Sequence, residues 1–575
     1  MKKKENIILI SYIVLLTIIK ISVFSNTPLW IFPDAGHDDE LLYKIATSLT
    51  NGEWLGSYSS NTLIKGFFFP LFLMINHSLG IPFLTAQTLF FSFACTLFIF
   101  ACKKMINNNW LLGLMYTFLF FIPASLSRGT FQRAYRSGIV LSQTLIVFAS
   151  IISLFYLALK KDTIKKWIPW SIALAFSLTS MKYTREDSFW VMPFVIVAST
   201  VIYFCSVEKD FIKLNHFYYK HILVLLIPFV FSFGVKTAVS ITNYNNYGIY
   251  TVTDLSGTNF AKCIKLMYSI DDPAEAPRTS VSREKMDKLY AVSTTLSSAR
   301  DYIDTSLDAW STDEYSRNVM DGWFYWAFRE AVSEAGYYES AAKSEDFYGR
   351  VCDELQNAID EGILTTHPTM PSASMSPWRE EYKTELWEYV KVSHEVVYTN
   401  EGQAIWGEEA ISYGDYEKVK ERAEYLKGNV VYDLEGNNIE EKSVLDAQNS
   451  FVIKANKTAK IGTKLFRVYQ KFGSLIYYIS IACFIYLIVC CILDLRKHIY
   501  NKVPIIVIIV GMGLSYLLVL IGISYTHISA FDAIHTLRLA YAYPVFSAME
   551  MISILVTAND FINYIISRWY IKGRT

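Results

Sequence analysis

The sequence predicts an all-α polytopic membrane protein of about ten transmembrane helices, with a mostly helical domain inserted on the outer face before the last three helices. Hydrophobic residues make up 52% of the 575 residues, and they are gathered into runs of the length that spans a bilayer. Aromatic residues reach 16%, which suits helices whose ends lie in the membrane interface. Lys+Arg and Asp+Glu both number 53, so charge gives no support to a nucleic-acid partner.

The N-terminal run is predicted to be a transmembrane helix at 7–23. A basic start before a short apolar run also occurs in signal peptides, but Lys20 interrupts this run and no small-x-small cleavage site follows. The further predicted spans are 82–102, 110–126, 138–159, 167–181, 189–205, 221–239, 473–493, 503–523 and 540–558. Of these, 110–126 and 167–181 are short.

Basic residues in the short loops predict the orientation. With these spans they all fall on one side: Lys2–Lys4, Lys103, Lys104, Lys160, Lys161, Lys165, Lys166, Lys209, Lys213, Lys220, Arg496, Lys497, Lys502, Arg568, Lys572 and Arg574. We therefore expect both termini in the cytoplasm and the protein in the plasma membrane, most simply of a bacterium. The predicted organisation is a membrane module at 1–240, an extracytoplasmic domain at 241–472 and C-terminal membrane helices at 473–575.

The predicted extracytoplasmic domain contains helical patterns and two cysteines. Helices are expected at 321–340, at 344–362 with Ser344 as N-cap, at 376–397 with Pro377 at the first helical position, and at 416–428, ended by Gly428. Cys263 and Cys352 are the cysteines of this domain. In an oxidising compartment they either form a disulfide or stay as thiols, and the sequence leaves both open.

The first outer loop contains a cluster of acids. Asp34, Asp38, Asp39 and Glu40 flank His37, just before an apolar pattern at 41–49. That pattern predicts a short helix along the membrane surface, with Asp38 and Asp39 at its N-terminus. Such a cluster could bind a divalent cation, Mg²⁺ or Mn²⁺, or supply a general base. The alternative is that these acids are only caps and solvated charges.

The second outer loop contains three arginines on a side that is usually poor in cations. Arg128, Arg133 and Arg136 lie within nine positions, and guanidinium groups suit bidentate phosphate recognition. Anchoring to lipid headgroups is the alternative interpretation.

The third and last outer loops add further polar groups. Lys182, Arg185, Glu186 and Asp187 lie at a helix junction, where they either serve the site or form a structural ion pair. The last loop contains His527, Asp532, His535 and Arg538. The two histidines are eight positions apart and could share a helical face, so zinc is conceivable, although lone outer histidines are more often ordinary polar residues.

Several of these motifs occur together in a pattern that resembles a known superfamily. The pattern is an acidic pair after the first span, an A-x-x-L-x-x-G-x-W run, and Lys-Gly before an aromatic-Pro-Leu stretch. The matching residues are Asp38, Asp39, Ala46, Leu49, Gly52, Trp54, Lys65, Gly66, Pro70 and Leu71. This resembles the GT-C superfamily of membrane glycosyltransferases, which includes protein O-mannosyltransferases, aminoarabinose transferases and oligosaccharyltransferases. Phe67 stands where relatives often carry Pro. The resemblance covers roughly 1–240 and, more weakly, 473–575.

The resemblance implies hexosyl or pentosyl transfer from a polyprenyl-phosphate sugar to a glycan, lipid or protein acceptor at the outer face of the bilayer. Asp38 or Asp39 would be the general base of an inverting displacement. The donor phosphate would be bound by Arg128, Arg133, Arg136 and Arg538. Acceptor or metal binding would fall to His37, Glu40, Glu186 and Asp187.

Two other classes of function remain open from the sequence. One is a transporter or flippase of lipid-linked glycans, although transporters usually place ionisable residues near the middle of the membrane. The other is a non-catalytic envelope assembly protein. Replacement of the acidic pair separates this non-catalytic protein from an enzyme.

Overall fold

Helices form nearly all of the regular structure in the computed structural model, which describes residues 2–207, 219–272, 274–315, 317–368 and 375–572. Lys209, Lys213 and Arg574 of the predicted cytoplasmic set lie outside these residues. The first membrane module contains α1 (Lys2–Phe24), α2 (Asp39–Thr50), α3 (Phe68–Leu79), α4 (Phe83–Cys102), α5 (Asn109–Phe120), α6 (Ser137–Leu159), α7 (Trp167–Lys182), α8 (Val191–Ser206) and α9 (Tyr219–Tyr247).

The region between α9 and the last membrane helices is also mostly helical. It contains α10 (Asn259–Ser269), α11 (Arg283–Val292), α12 (Thr294–Ser298), α13 (Arg300–Trp310), α14 (Asp321–Glu334), α15 (Ala341–Asp360), α16 (Tyr382–Thr399), β1 (Ile411–Ser412), α17 (Tyr416–Leu426) and β2 (Val431–Tyr432). The two short strands pair in parallel, Ile411 with Val431. The chain ends with α18 (Lys442–Leu495), α19 (Val503–Ser529) and α20 (Ala542–Lys572).

The predicted all-α polytopic class is confirmed. Each predicted span coincides with a helix, and within the described residues eight helices are long and apolar enough to cross a membrane. The predicted spans at 110–126 and 167–181, which are short in the sequence, are not among these eight helices. The helix pair at 109–120 and 123–132 is bent by 64°, and α7 has 16 residues.

Two separate sets of loop contacts lie at the two ends of the helical bundle. Lys103 bonds to Asn6, and Lys161 Nζ donates to the Cys205 carbonyl oxygen at 2.9 Å, so several predicted cytoplasmic segments meet one another. The acidic first loop lies at the other end, where it contacts the inserted region. Arg422 in α17 donates to the carbonyl oxygens of Phe32 and Pro33 at 3.0 and 2.9 Å.

The short helix α2 packs against protein on two sides, which corrects the expectation that it lies along the membrane surface. Leu41 and Ile45 belong to the core of the inserted region, together with helices α10 to α15. Leu42 and Ala46 belong to a second core with α3 and α17. The apolar stripe of α2 therefore joins the inserted region to the first membrane module.

Several predicted helix boundaries in the inserted region are wrong. Helix α14 ends at Glu334 rather than at 340. Helix α15 begins earlier than expected, because Ser340 rather than Ser344 caps it by accepting a bond from the Lys343 amide. Pro377 precedes α16, which begins at Tyr382. Helix α17 ends at Leu426 and is closed by Lys427 in the left-handed conformation, with φ 52°, one residue before Gly428.

Helix α18 joins the inserted region to the last membrane helices. It has 54 residues, a length of about 80 Å at the helical rise. It continues without a break through the predicted domain end at 472 into the predicted span at 473–493. The inserted region is thus connected to the membrane by a continuous helix.

The predicted orientation is tested by thiol labelling. In a background without native cysteines, Asp301→Cys in the inserted region is expected to react with a membrane-impermeant maleimide in intact cells. Lys160→Cys, also exposed, is the matched control at the other end and should react only after permeabilisation. The reverse pattern would overturn the orientation.

Candidate functional site

A cavity of about 260 Å³ lies where the first, second, third and last predicted outer loops meet α14 and α19. Its charged lining residues are Asp38, Lys65, Arg136, Glu186, Asp187 and Arg538. Its aromatic residues include Trp323, Tyr325 and Trp326 of α14, and α19 contributes an apolar wall of Leu518, Val519, Gly522 and Ile523. Residues distant in sequence therefore form one enclosure.

Asp38 faces the cavity with a buried cation behind it. Its Oδ1 accepts bonds from Lys65 Nζ at 2.6 Å and from the Tyr135 hydroxyl at 2.9 Å. The Lys65 side chain is 8% exposed and that of Asp38 is 44% exposed. Burial opposes ionisation of Asp38, but the charges of Lys65 and Arg136 hold its pKa well below the usual range. Asp38 is therefore ionised at neutral pH.

Gly66 explains how Lys65 reaches this position. A Cβ at Gly66 would lie 2.2 Å from the Tyr183 carbonyl oxygen, and that same oxygen accepts a bond from the Phe68 amide at 3.0 Å. Only glycine allows this close approach of the two backbones. The Lys-Gly pair thus fixes the first loop against the third.

Glu186 and Asp187 face the same cavity, again with buried cations behind them. Arg136 Nη1 donates to both Glu186 oxygens, at 2.7 and 2.6 Å. Arg185 Nε donates to Asp187 Oδ1 at 3.0 Å, and the Tyr541 hydroxyl donates to the same oxygen at 3.1 Å. Both guanidinium groups are almost fully buried, so the carboxylates are the accessible ends of these pairs.

Arg538 differs from the other cations of the cavity. Its guanidinium lies 4.8 Å from the Phe531 ring centroid, and within the described part of the chain no carboxylate forms a salt bridge with it. Phe531 packs so closely on α14 that a Cβ at Gly322 would lie 2.2 Å from its ring. Arg278 holds the same loop, donating to the His527 carbonyl oxygen at 2.5 Å and to Asp532 at 3.0 Å. The inserted region thereby positions Arg538.

Several predicted site residues lie outside the cavity lining. Asp39 accepts a two-point bond from Arg133, with Nε to Oδ1 at 2.9 Å. Arg128 stacks on Trp406 at 4.0 Å. Glu40 pairs with Lys44 at 2.9 Å. Arg133 joins the second loop to the first, and Arg128 joins the second loop to the inserted region. Glu40 also lies 3.8 Å from Arg422 of the inserted region.

His37 also lies beside the cavity rather than in its lining. Its Nδ1 is 3.1 Å from Asn61 Oδ1, and its ring lies 4.7 Å from that of Trp326. Trp326 is a lining residue, so His37 forms a second layer behind the aromatic wall.

The histidine pair predicted on one helical face is not on one helix. Helix α19 ends at Ser529, so His527 is helical and His535 lies in the following loop. Among the residues that the structure describes, no group of three or more His, Cys, Asp or Glu side chains is arranged to bind a metal. Asp38, Glu186 and Asp187 are each paired with a cationic side chain.

Sequence reasoning missed three parts of the cavity. Lys65 was predicted only as a residue of the family motif. A lysine in the same loop as an acidic pair could also have indicated an ion pair with one of the acids. The α14 aromatics had the pattern of an ordinary buried helix face. The α19 wall could not be identified, since its residues have the composition of any membrane helix.

Fold and site together define an all-α, polytopic membrane protein with a charged cavity at one end of its helical bundle. No family model and no curated protein matches the sequence. Among solved structures, the chain is similar to ArnT from Cupriavidus metallidurans in the apo state, at 12% identity, over 90% of this chain and 76% of that chain, with a TM-score of 0.29. At this identity and TM-score, the similarity gives no residue roles and no activity for this chain.

The Asp39–Arg133 pair is expected to stabilise the fold. Asp39→Asn leaves the largely buried Arg133 guanidinium without its counter-charge, and breaking such a pair costs about 3 kcal/mol. The Tm of the purified protein should fall clearly, and Asp39→Asn combined with Arg133→Gln should recover part of the loss. If Asp39→Asn melts like the wild type, the pair is not structural.

Proposed function

We propose that the protein is a membrane glycosyltransferase of the GT-C type, which transfers a sugar from a polyprenyl-phosphate donor to an acceptor at the extracytoplasmic face. The observation that carries the proposal is the composition of the cavity. Its lining combines three carboxylates and Arg538 with apolar residues of membrane helix α19. A lipid-linked sugar has the same two parts, a polar head and an apolar chain. The motif resemblance of the first loop supports the same activity.

In the proposed reaction Asp38 is the general base. Its exposed, ionised carboxylate accepts the proton of an acceptor hydroxyl, whose oxygen forms a bond to the anomeric carbon of the sugar. The bond from that carbon to the phosphate oxygen breaks, and its electron pair leaves with the polyprenyl phosphate. Attack from the opposite face inverts the anomeric configuration. Glu186 and Asp187 are placed to accept hydrogen bonds from sugar hydroxyls.

Arg538 is the proposed ligand of the departing phosphate. It is the cation of the cavity that has no carboxylate partner among the described residues, so its charge is available to an anion. A guanidinium aimed at the oxygen on which charge develops stabilises the transition state. Arg136 and Lys65 add positive potential, but their bonds to Glu186 and Asp38 are already made. Arg128 and Arg133 have structural partners outside the cavity.

The proposal is tested by mass spectrometry of envelope glycans and polyprenyl lipids from cells with and without the protein. A transferase predicts a missing glycan modification and an accumulated polyprenyl-phosphate sugar. A flippase predicts that the donor accumulates in the inner leaflet, and that purified protein transfers nothing. Unchanged glycans and lipids would contradict the proposal.

Asp38→Asn is expected to abolish transfer, because removal of a general base typically lowers the rate about 100- to 10,000-fold. The control is Asp34→Asn, since Asp34 lies in the same loop, is 62% exposed beside Lys418 and does not line the cavity. Because the pKa of Asp38 is lowered, protonation of Asp38 should reduce the wild-type rate only at a pH below the ordinary carboxyl pKa of about 4. Full activity of Asp38→Asn would exclude Asp38 as the base.

Arg538→Ala is expected to raise the KM for the lipid donor or lower kcat by roughly ten- to a hundredfold, the worth of a charge-assisted contact. Arg538→Lys should recover little, because an ammonium lacks the planar fork. Arg350→Ala, a half-exposed arginine of α15, is the matched control. If Lys serves as well as Arg, or if donor dependence is unchanged in Arg538→Ala, the phosphate assignment fails.

A further inference from the structure

A row of aromatic rings begins and ends in the cavity wall and passes beside the cavity through the first loop and the inserted region. Its members are Trp326, His37, Trp310 and Trp323, which we name the aromatic track. The His37 ring lies 4.7 Å from Trp326 and 5.2 Å from Trp310. Trp310 in turn lies 6.4 Å from Trp323. The rings are thus in continuous contact, although they come from the first loop and from two helices of the inserted region.

The track changes from buried to exposed along its length. Trp326 is 6% exposed and Trp323 is 40% exposed, and both line the cavity. Trp310 is half-buried and lies outside the lining. Trp323 therefore presents part of an apolar ring face to the cavity.

Polar groups accompany the rings. The Trp310 Nε1 donates to Glu330 at 2.8 Å, and Asn61 bonds to His37 at 3.1 Å. Lys65, which holds the proposed base, lies 5.3 Å from the Trp326 ring centroid. The combination of flat apolar faces and hydrogen-bonding groups matches a pyranose, whose faces carry C–H groups and whose rim carries hydroxyls.

We infer that the aromatic track binds a carbohydrate acceptor, a glycan chain of several residues whose terminal hydroxyl reaches Asp38. This rests on the proposed function and narrows its acceptor from a glycan, lipid or protein to a glycan. The apolar α19 residues of the cavity lining are left to the lipid chain of the donor. The track belongs to the inserted region and the first loop, so the acceptor enters from the aqueous side.

The test is binding of soluble oligosaccharides to the full-length protein in detergent. The probe is an array of hexose, hexosamine and pentose oligomers, graded from mono- to hexasaccharide. It is applied to wild type and to Asp38→Asn, in which bound acceptor cannot react. We expect binding by both proteins that strengthens with chain length, because several subsites are filled together.

Variants of the track locate the binding surface. Trp310→Ala and Trp323→Ala should each weaken binding about ten-fold, as expected for a stacked aromatic contact. Trp323→Tyr keeps an aromatic face and should retain most of the affinity, which separates lost stacking from lost folding. Trp387→Ala is the matched control, since Trp387 is 52% exposed on α16 and does not line the cavity.

Two results overturn the inference: no oligosaccharide binds to the wild type, or the Trp310 and Trp323 variants bind as the wild type does. Failure of the proposed function gives a different pattern. If the track variants lose binding but Asp38→Asn leaves envelope glycans unchanged, the track stands as a glycan-binding surface and the transferase assignment fails. If glycans depend on Asp38 and the array shows no binding, only the acceptor assignment fails.

Discussion

The cavity depends on the pairing of buried cations with exposed carboxylates. Lys65, Arg136 and Arg185 are each at most 8% exposed, and a charge removed from water at the edge of a bilayer is costly unless it is paired. Each cation therefore holds a carboxylate, and the three carboxylates line the cavity. The Arg136–Glu186 pair also connects the second loop to the third, and the Tyr135 hydroxyl connects the second loop to the first by donating to Asp38.

Much of the fold could be predicted because span length is a local property of the sequence. An apolar run of sufficient length becomes a membrane helix almost regardless of its neighbours, and all the predicted spans coincide with helices. Boundaries in the inserted region were harder, because competing local signals lie a few residues apart. Ser340 and Ser344 are both suitable N-caps, and the choice between them is made by packing, which buries Ser344 within the helix. Pro377 is compatible with the first position of a helix, but α16 begins only at Tyr382.

The residue types of the candidate site could be predicted, but the side chains that pair with each other could not. Asp38 and Asp39 are adjacent, yet consecutive side chains at a helix start point about 100° apart. Which of them faces the cavity depends on Lys65 and Arg133, which lie 27 and 94 positions from their partners. The arginines show the same limit. Arg128, Arg133 and Arg136 look equivalent in sequence, but only Arg136 lines the cavity, since Trp406 and Asp39 hold the other two.

Lys20 connects the membrane helices to this arrangement. It interrupts the first apolar run and is 1% exposed, and its Nζ donates to the Phe120 carbonyl oxygen at 2.6 Å and to Ser125 Oγ at 2.8 Å. Phe120 is the last residue of α5, where carbonyl groups lose their helical partners and the dipole favours a cation. The lysine thus stabilises the bend at the end of α5. The chain that follows this bend carries Arg136, so a charge that is costly within a membrane helix supports the placement of a cavity arginine.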